Sequence, residues 1–122
     1  MAIGECREDY LKTIYSLTLM NGSVRQSEIA EYMGLSRPSV SVAVRSLEED
    51  GYVICEGRNI QMTHRGESIA KKMYARHLFF TKLLVQAGVL KKRAEKEACR
   101  MEHVLSEDSY QKLKHLLEAI TG

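Results

Sequence analysis

Cys99, Glu102 and His103 bring three different metal donors together within five residues. In a helix the positions i, i+3 and i+4 lie on one face, so a thiolate, a carboxylate and an imidazole can point to the same place. Such a set of donors can chelate one divalent transition-metal ion. A packed cysteine beside a solvated glutamate and a surface histidine is the alternative, and the spacing alone leaves both interpretations open.

The second half of the chain must supply the elements that position these donors. Apolar periodicity and capping signals predict helices over 64–86, 91–105 and 107–120. Thr63 and Ser106 are the predicted N-caps of the first and third of these helices, and Gly88 ends the first. Because so few amphipathic helices cannot bury their own apolar faces, we expect residues after about 64 to join two copies in a symmetric homodimer.

The first half predicts a different set of elements. Its apolar spacing and turn residues indicate helices over 5–20, 28–33 and 37–50 and strands over 52–54 and 60–62. Ser27 and Ser36 are the predicted N-caps of the second and third helices. This order is typical of a winged helix-turn-helix. We therefore expect a mostly α protein, with a winged helix-turn-helix DNA-binding domain over 1–70 and an α-helical dimerisation and metal-binding domain over 71–122.

The third predicted helix has the composition of a helix that reads DNA. Its first part carries hydroxyl and guanidinium groups without an acid, while Glu48, Glu49 and Asp50 stand at its far end. Recognition helices contact bases and phosphates with their N-terminal residues. The candidates for DNA contact are Ser36, Arg37, Ser39, Ser41 and Arg45, with Arg58 in the turn between the strands. A winged helix that contacts only protein is the alternative.

Net charge does not by itself indicate nucleic acid. The chain carries a formal charge of +2; residues 1–63 hold 6 basic and 9 acidic side chains, and residues 64–122 hold 12 and 7. The half assigned to DNA is thus formally acidic, so the prediction depends on where its arginines stand. Cys6, Cys55 and Cys99 are odd in number and widely spaced, which predicts free thiols and a cytoplasmic location.

Seven segments together resemble the diphtheria-toxin-repressor family of iron- and manganese-dependent transcriptional regulators. They are Glu-Asp-Tyr-Leu-Lys-Thr-Ile-Tyr at 8–15, Ser-Glu-Ile-Ala at 27–30, Ser-Arg-Pro-Ser-Val-Ser at 36–41, Gly-Tyr-Val at 51–53, Met-Thr-His-Arg-Gly at 62–66, Arg-His at 76–77 and Ala-Cys-Arg-Met-Glu-His-Val-Leu-Ser at 98–106. The last segment is the most specific, and the resemblance extends over nearly the whole chain.

The resemblance implies a role for individual residues. The main metal site would take one ligand from the first helix and three from the fifth: Asp9, Cys99, Glu102 and His103. DNA would be contacted by Ser27, Ser36, Arg37, Pro38, Ser39 and Ser41. The protein would be a repressor of metal homeostasis genes that needs Mn²⁺ or Fe²⁺ to bind a double-stranded operator as a homodimer. A ligand set shared by the two helices would tie the DNA-binding half to the dimer half.

The sequence departs from the family at a second, ancillary metal site. Iron-type members place a histidine, a glutamate and a histidine where this chain has His77, Thr81 and Glu95, and manganese-type members place a glutamate where it has Lys12. His77 with Glu95 is therefore an incomplete site, and an ordinary surface histidine is the alternative. Asp9 favours hard ions such as Mn²⁺, whereas a thiolate favours softer ones: Fe²⁺, Co²⁺, Ni²⁺ or Zn²⁺. The length resembles that of the short, two-domain members.

Two other functions use the same residues. In a redox-sensing regulator, Cys99 would be oxidised instead of binding metal, but this would leave Glu102 and His103 unexplained. In an enzyme, Cys99 and His103 would form a nucleophilic pair, but the sequence shows no oxyanion element or orienting carboxylate, and a recognition helix would be surplus. We therefore predict a regulator that is not an enzyme.

Overall fold

The computed structural model describes the backbone of residues 5–121 and the side chains of residues 6–120. It is mostly α, as predicted, and its elements are α1 (Glu5–Asn21), α2 (Gln26–Met33), α3 (Arg37–Glu49), β1 (Val53–Glu56), β2 (Asn59–Met62), α4 (His64–Gln86), α5 (Lys91–Met101) and α6 (Glu107–Thr121). The chain divides into two compact units, an N-terminal unit over Met1–Lys72 and a C-terminal unit over Met73–Gly122. None of the helices in the described part is long and apolar enough to cross a membrane.

A single apolar cluster holds the N-terminal unit together. Leu11 and Ile14 of α1 and Ile29 of α2 are completely buried in it. Val40, Val44 and Leu47 of α3, predicted as core residues from their spacing, are buried in the same cluster, which confirms that prediction. Burial of such side chains contributes roughly 1.5–3 kcal/mol each relative to exposure, so this cluster fixes how the three helices pack.

The two helices of the helix-turn-helix begin in different ways. Ser36 caps α3 as predicted, since its hydroxyl accepts a hydrogen bond from the Ser39 amide at 3.2 Å. The prediction that Ser27 caps α2 is wrong. Arg25 is the N-cap, and the Glu28 carboxylate reaches back to accept a hydrogen bond from the Arg25 amide at 2.9 Å. A glutamate in the first turn satisfies the free amide just as a capping hydroxyl would, and Ser27 is left exposed on the helix.

The wing is a tighter hairpin than the sequence predicts. Strands β1 and β2 pair antiparallel with Glu56 opposite Asn59, so the connection is a two-residue turn and not the five-residue turn expected over 55–59. Gly57 has a φ of 61°, which suits the first position of a type II′ turn. Arg58 therefore stands at the tip of the hairpin. The Ile60 amide also donates to the Val24 carbonyl at 2.8 Å, which ties the wing to the segment before α2.

Helix α4 begins in close contact with Tyr52, the residue directly before strand β1. The Thr63 hydroxyl accepts from the Gly66 amide at 3.2 Å, which confirms the predicted cap. A Cβ atom on Gly66 would collide with the backbone carbonyl of Tyr52, which itself accepts from the Thr63 amide at 3.1 Å. Only glycine allows this approach of helix and strand. Arg65 covers the Tyr52 ring at 4.4 Å from its centroid and bonds its hydroxyl at 3.1 Å.

The C-terminal unit has a smaller buried cluster. Phe80 of α4, Ala98 of α5 and Tyr110 of α6 form it, with Phe79, Leu83, Met101 and Leu105 packed against it. Ser106 caps α6 as predicted, accepting from the Ser109 amide at 3.1 Å. The prediction of helix over 91–105 is wrong at its end, because α5 stops at Met101. The carbonyls of Glu102 and Leu105 instead accept hydrogen bonds from Arg76, so residues 102–105 form a turn.

Candidate functional site

Three side chains from α4, α5 and the end of α5 meet inside the C-terminal unit. His77, Cys99 and Glu102 each offer a ligand atom, and these atoms lie within 4.8 Å of one another. Glu102 is completely buried, while His77 and Cys99 are half-buried. An imidazole, a thiolate and a carboxylate at these separations can close on one divalent ion. We call these three residues the donor cluster.

The turn after α5 adds a second imidazole beside the donor cluster. His103 Nε2 lies 3.5 Å from Glu102 Oε1, and His77 Nδ1 lies 3.4 Å from Glu102 Oε2. The Glu102 carboxylate therefore has an imidazole nitrogen close to each oxygen. Adjacent residues inside a helix diverge by about 100°, which would direct the side chains of Glu102 and His103 apart. Because α5 has already ended at Met101, Glu102 and His103 stand at its C-cap and in the turn that follows.

Polar atoms on one face of α4 support a ligand role for the donor cluster. His77 Nδ1 is buried without a hydrogen-bond partner, and so is Thr81 Oγ1 one turn later. Burying such an atom without a partner costs about 1–3 kcal/mol, so native structures rarely leave one without a function. A buried imidazole nitrogen 3.4 Å from a buried carboxylate suits metal ligation. The donor types and this nitrogen fit a divalent ion.

Two further predicted ligands are Asp9 and Glu95. Asp9 lies on α1 in the N-terminal unit, with its carboxylate 3.9 Å from the Lys12 ammonium group. Glu95 is exposed on α5 and is not part of a donor group among the described residues. The structure thus brings His77 together with Cys99 and Glu102, a grouping that the sequence analysis did not anticipate. Ligand roles for Asp9 and Glu95 stay predictions.

A polar groove marks the face of the N-terminal unit where DNA contacts are predicted. It has a volume of about 550 Å³ and is lined by the start of α2, the start of α3 and the wing. Ser27, Arg37 and Arg58, all predicted from the sequence, lie along it. Arg25 lies there too and was missed. Its signal was a basic residue directly before a helix start, where side chains commonly meet phosphates.

The remaining predicted DNA contacts all lie on α3 or its cap. Ser36, Pro38, Ser39 and Arg45 are exposed, and Ser41 is half-buried. Val42 is 67% exposed on the same helix, four residues after Pro38, and was also missed. An exposed apolar side chain in the middle of a polar helix face is the signal that could have identified it.

The acidic residues at the end of α3 make a hydrogen bond and an ion pair within the N-terminal unit. Glu48 Oε2 accepts from the Cys55 amide at 2.9 Å, and burial together with the nearby Glu48 carboxylate raises the pKa of the Cys55 thiol. Asp50 pairs with Arg7 of α1 at 2.7 Å. These contacts use the acids of α3 to hold the wing and α1 in place. The cationic start of α3 therefore carries the charge available to a phosphate backbone.

A winged helix-turn-helix followed by a helical unit with clustered metal donors defines a class of two-domain, metal-responsive regulators. Residues 3–59 match the family described as iron dependent repressor, N-terminal DNA binding domain. Residues 63–121 match iron dependent repressor, metal binding and dimerisation domain. The chain belongs to the iron-dependent repressor family, which confirms the resemblance to the diphtheria toxin repressor.

Curated relatives include both iron and manganese regulators. The iron-dependent repressor IdeR of Mycobacterium tuberculosis is 36% identical over 112 residues, covering 90% of this chain and 49% of the relative. The HTH-type transcriptional regulator MntR of Lysinibacillus sphaericus is 32% identical over 114 residues, covering 93% and 82%. The diphtheria toxin repressor of Corynebacterium diphtheriae is 34% identical over 116 residues, covering 93% and 51%. The chain thus spans about half the length of several of these relatives.

Solved structures show the same architecture. The manganese regulator SloR superimposes with a TM-score of 0.79 at 29% identity, covering 92% of this chain and 53% of that one. A manganese-dependent transcriptional repressor in complex with manganese has a TM-score of 0.80 at 28% identity, covering 92% and 52%. The fold shared with these proteins combines the winged helix-turn-helix and the helical unit described above.

Proposed function

We propose that this chain is a transcriptional repressor that binds a DNA operator as a homodimer when a divalent metal ion occupies the donor cluster. The observation that carries the proposal is the convergence of His77, Cys99 and Glu102, with ligand atoms within 4.8 Å of one another. Membership of the iron-dependent repressor family supports it. Regulation of metal homeostasis genes from the cytoplasm is part of the same proposal.

The proposed ligands are the donor cluster, His103 and Asp9. Glu102 contributes a completely buried carboxylate, which favours a bound cation because a buried negative charge is stabilised by a positive one. The His103 imidazole, with a side chain only 3% exposed, is held beside Glu102. Asp9 is included on the resemblance, which gives one ligand to the first helix. A bound divalent ion would supply the positive charge that offsets the carboxylates and the thiolate.

The donor types favour Fe²⁺ over Mn²⁺ on chemical grounds. A thiolate and two imidazoles are softer ligands than an all-carboxylate set, and they raise affinity for Fe²⁺, Co²⁺, Ni²⁺ and Zn²⁺. Lys12 stands 3.9 Å from Asp9, where it reduces the negative charge that a second ion would need. The Thr81 hydroxyl and the exposed Glu95 carboxylate add little to the ligands available for a second ion. We therefore propose one ion for each protomer, with Fe²⁺ favoured over Mn²⁺ as the physiological metal.

The proposed DNA interface is the polar groove together with the exposed start of α3. Arg37 and Arg58 line this groove together with the start of α2. Helix starts and guanidinium groups are the common ligands of DNA phosphates. With α3 in the major groove, Ser36 and Ser39 would stand near base edges and Arg25 near the backbone.

Dimerisation is proposed for the C-terminal unit. Leu78 and Val85 on α4 and Leu113, Leu116 and Ile120 on α6 are large apolar residues with 38–69% of their surface exposed. An apolar groove of about 190 Å³ between these helices, lined by Phe79, Leu83 and Leu117 among others, lies on the same unit. A second copy would cover these residues and place two recognition helices on successive half-sites.

The test is DNA binding measured with defined metals. Operators are first selected from random duplexes with Mn²⁺ or Fe²⁺ present; affinity is then measured at fixed salt with Mn²⁺, Fe²⁺, Co²⁺, Zn²⁺ or a chelator. We expect tight binding with metal and loss with chelator. Cys99→Ala and His103→Ala should abolish the metal response, while Cys6→Ala, the matched change at an exposed thiol, should not.

Two outcomes would contradict the proposal. Operator binding that is unaffected by chelator would mean that metal does not control the protein. A His103→Ala variant that still responds to metal like the parent would mean that the proposed ligand set is wrong. Asp9→Ala is expected to leave ion binding measurable while reducing the response of DNA binding.

A further inference from the structure

Arg76 is a buried arginine directly before His77 on α4. Its residue surface is 5% exposed, which is unusual for arginine unless the charge has partners. One terminal nitrogen donates to the carbonyl oxygen of Glu102 at 3.1 Å and to that of Leu105 at 2.7 Å. The other donates to the Glu107 carboxylate at 3.1 Å, and the guanidinium carbon lies 4.9 Å from the centre of the Tyr110 ring.

These contacts fall on the segment that carries two proposed ligands. Residues 102–105 form a turn after α5, with the Val104 amide donating to the Met101 carbonyl at 3.3 Å. Arg76 bonds the first and the fourth residue of this turn. The position of its guanidinium is itself fixed by Glu107 at the start of α6 and by the Tyr110 ring. The turn is therefore held at both ends by a planar group with a fixed fork of donors.

Two neighbours on α4 thus contact the same segment in different ways. His77 faces the Glu102 carboxylate, with its Nδ1 atom 3.4 Å from Oε2, while Arg76 bonds the Glu102 backbone. The side chain and the backbone of Glu102 are therefore contacted by two consecutive residues of α4. A small displacement of the turn would change the separation of His77 from Glu102 and the approach of His103.

We propose that Arg76 is a positioning residue for the metal site, which sets the geometry of Glu102 and His103 by holding the carbonyls of the turn. The proposal rests on the proposed function, because it assumes that the donor cluster binds a divalent ion. Groups that orient metal ligands without touching the ion typically change metal affinity by about tenfold to a hundredfold when they are removed.

The direction of the change in metal affinity distinguishes a role of Arg76 in positioning the ligands from the electrostatic effect of its charge. A guanidinium group close to the donors repels a cation, so replacing Arg76 by a neutral residue would by charge alone strengthen metal binding. The Glu107 carboxylate offsets part of that repulsion at 3.1 Å. A loss of affinity in Arg76→Met therefore has to come from the geometry of the ligands.

The experiment is a Co²⁺ titration of the 122-residue chain, followed by the thiolate-to-metal charge-transfer band and the ligand-field spectrum. We expect Arg76→Met to bind Co²⁺ about tenfold to a hundredfold more weakly, with an altered ligand-field spectrum. Arg76→Lys, which keeps the charge but not the fork of donors, should recover part of the affinity. Ile29→Ala, a cavity-creating change in the buried cluster of the N-terminal unit, is the control for general destabilisation.

Thermal unfolding of each apo variant, followed by circular dichroism, gives the loss of stability to compare. The proposal is overturned if Arg76→Met binds Co²⁺ as tightly as the parent with an unchanged spectrum. It is equally overturned if Ile29→Ala, at the same loss of apo stability, weakens Co²⁺ binding as much. Absence of a thiolate charge-transfer band in the parent protein would instead refute the proposed metal site. Loss of that band in Cys99→Ser tests the site independently of Arg76.

Discussion

The two units differ most in how far each can bury its own apolar surface. In the N-terminal unit, residues from α1, α2, α3, the wing and the start of α4 share one continuous buried cluster. In the C-terminal unit, the buried cluster is built around Phe80, Ala98 and Tyr110, while Leu116 and Ile120 of α6 remain 57% and 69% exposed. The first unit has the core of an independent domain, and the second presents apolar surface that a partner could cover.

This difference indicates how stability is distributed between the unit proposed to bind DNA and the unit proposed to bind metal. A unit with its own core keeps the shape of the face proposed to contact DNA whatever happens elsewhere in the chain. A unit with little core of its own gains stability from association and from ligands, because anything that binds only the folded state stabilises it. Metal and a second copy would therefore act mainly on the C-terminal unit. Three substitutions test the contrast.

Gly66→Ala should have the largest effect, and it should fall on the N-terminal unit. The new methyl group would collide with the Tyr52 carbonyl, which is backbone and cannot move aside cheaply. Alanine improves helix propensity by about 1 kcal/mol, but overpacking against a rigid group costs about 3 kcal/mol or more. We expect thermal unfolding to shift down by about 10 °C or more. Ser68→Ala, an exposed change on the same helix, should leave the transition unchanged.

A Gly66→Ala protein as stable as the parent would mean that α4 can move away from the strand. The continuous core of the N-terminal unit would then not fix the start of α4, and the contrast between the units would be weaker than their buried clusters suggest.

Leu116→Glu should act next most strongly, and on association instead of folding. Placing a charge among exposed apolar residues of α6 leaves the monomer nearly undisturbed, but burying that charge at an interface costs several kcal/mol. We expect sedimentation at micromolar concentration to report a monomer where the parent is a dimer. Lys112→Ala, on the same helix at a residue whose charge is exposed, should remain dimeric. A dimeric Leu116→Glu protein would place the interface on another surface.

Arg37→Ala should have the smallest effect, confined to DNA binding. Arg37 is exposed and lines the polar groove, so its loss removes a contact without disturbing the core. We expect operator affinity to fall by about 1–3 kcal/mol if the side chain reads a base, and less, with a shallower salt dependence, if it meets a phosphate. Fluorescence anisotropy across several salt concentrations distinguishes these cases. Unchanged affinity would move the DNA face away from the groove.

Much of the fold follows from local signals in the sequence. The start of α3 at Ser36, the start of α4 at Thr63 and the buried spacing of Val40, Val44 and Leu47 are all set by residues near one another in the chain. Such signals can be identified without knowledge of tertiary contacts. The helical spacing predicted Cys99, Glu102 and His103 as metal donors, and the resemblance to a family added Asp9.

The features that escaped prediction depend on distant residues. Helix α5 ends at Met101, and Arg76, 26 positions before Glu102, bonds the carbonyls of the turn that follows. His77 joins Cys99 through the packing of α4 on α5, and no spacing along the chain encodes that pairing. The shorter wing turn is set by the register between two strands. Contacts of this kind override local propensity, and a single sequence does not reveal them.

If α3 enters the major groove as proposed, the exposed Val42 has a consequence for the chemistry of the operator. Thymine is the one DNA base that presents a methyl group in the major groove, and an aliphatic side chain gains by covering it while leaving no polar group unsatisfied. A valine that is 67% exposed on a helix lying in that groove would prefer a thymine beneath it to a cytosine, whose amino group would lose water without gaining a partner. Uracil in place of that thymine would keep every base-pairing hydrogen bond and lose only the apolar contact.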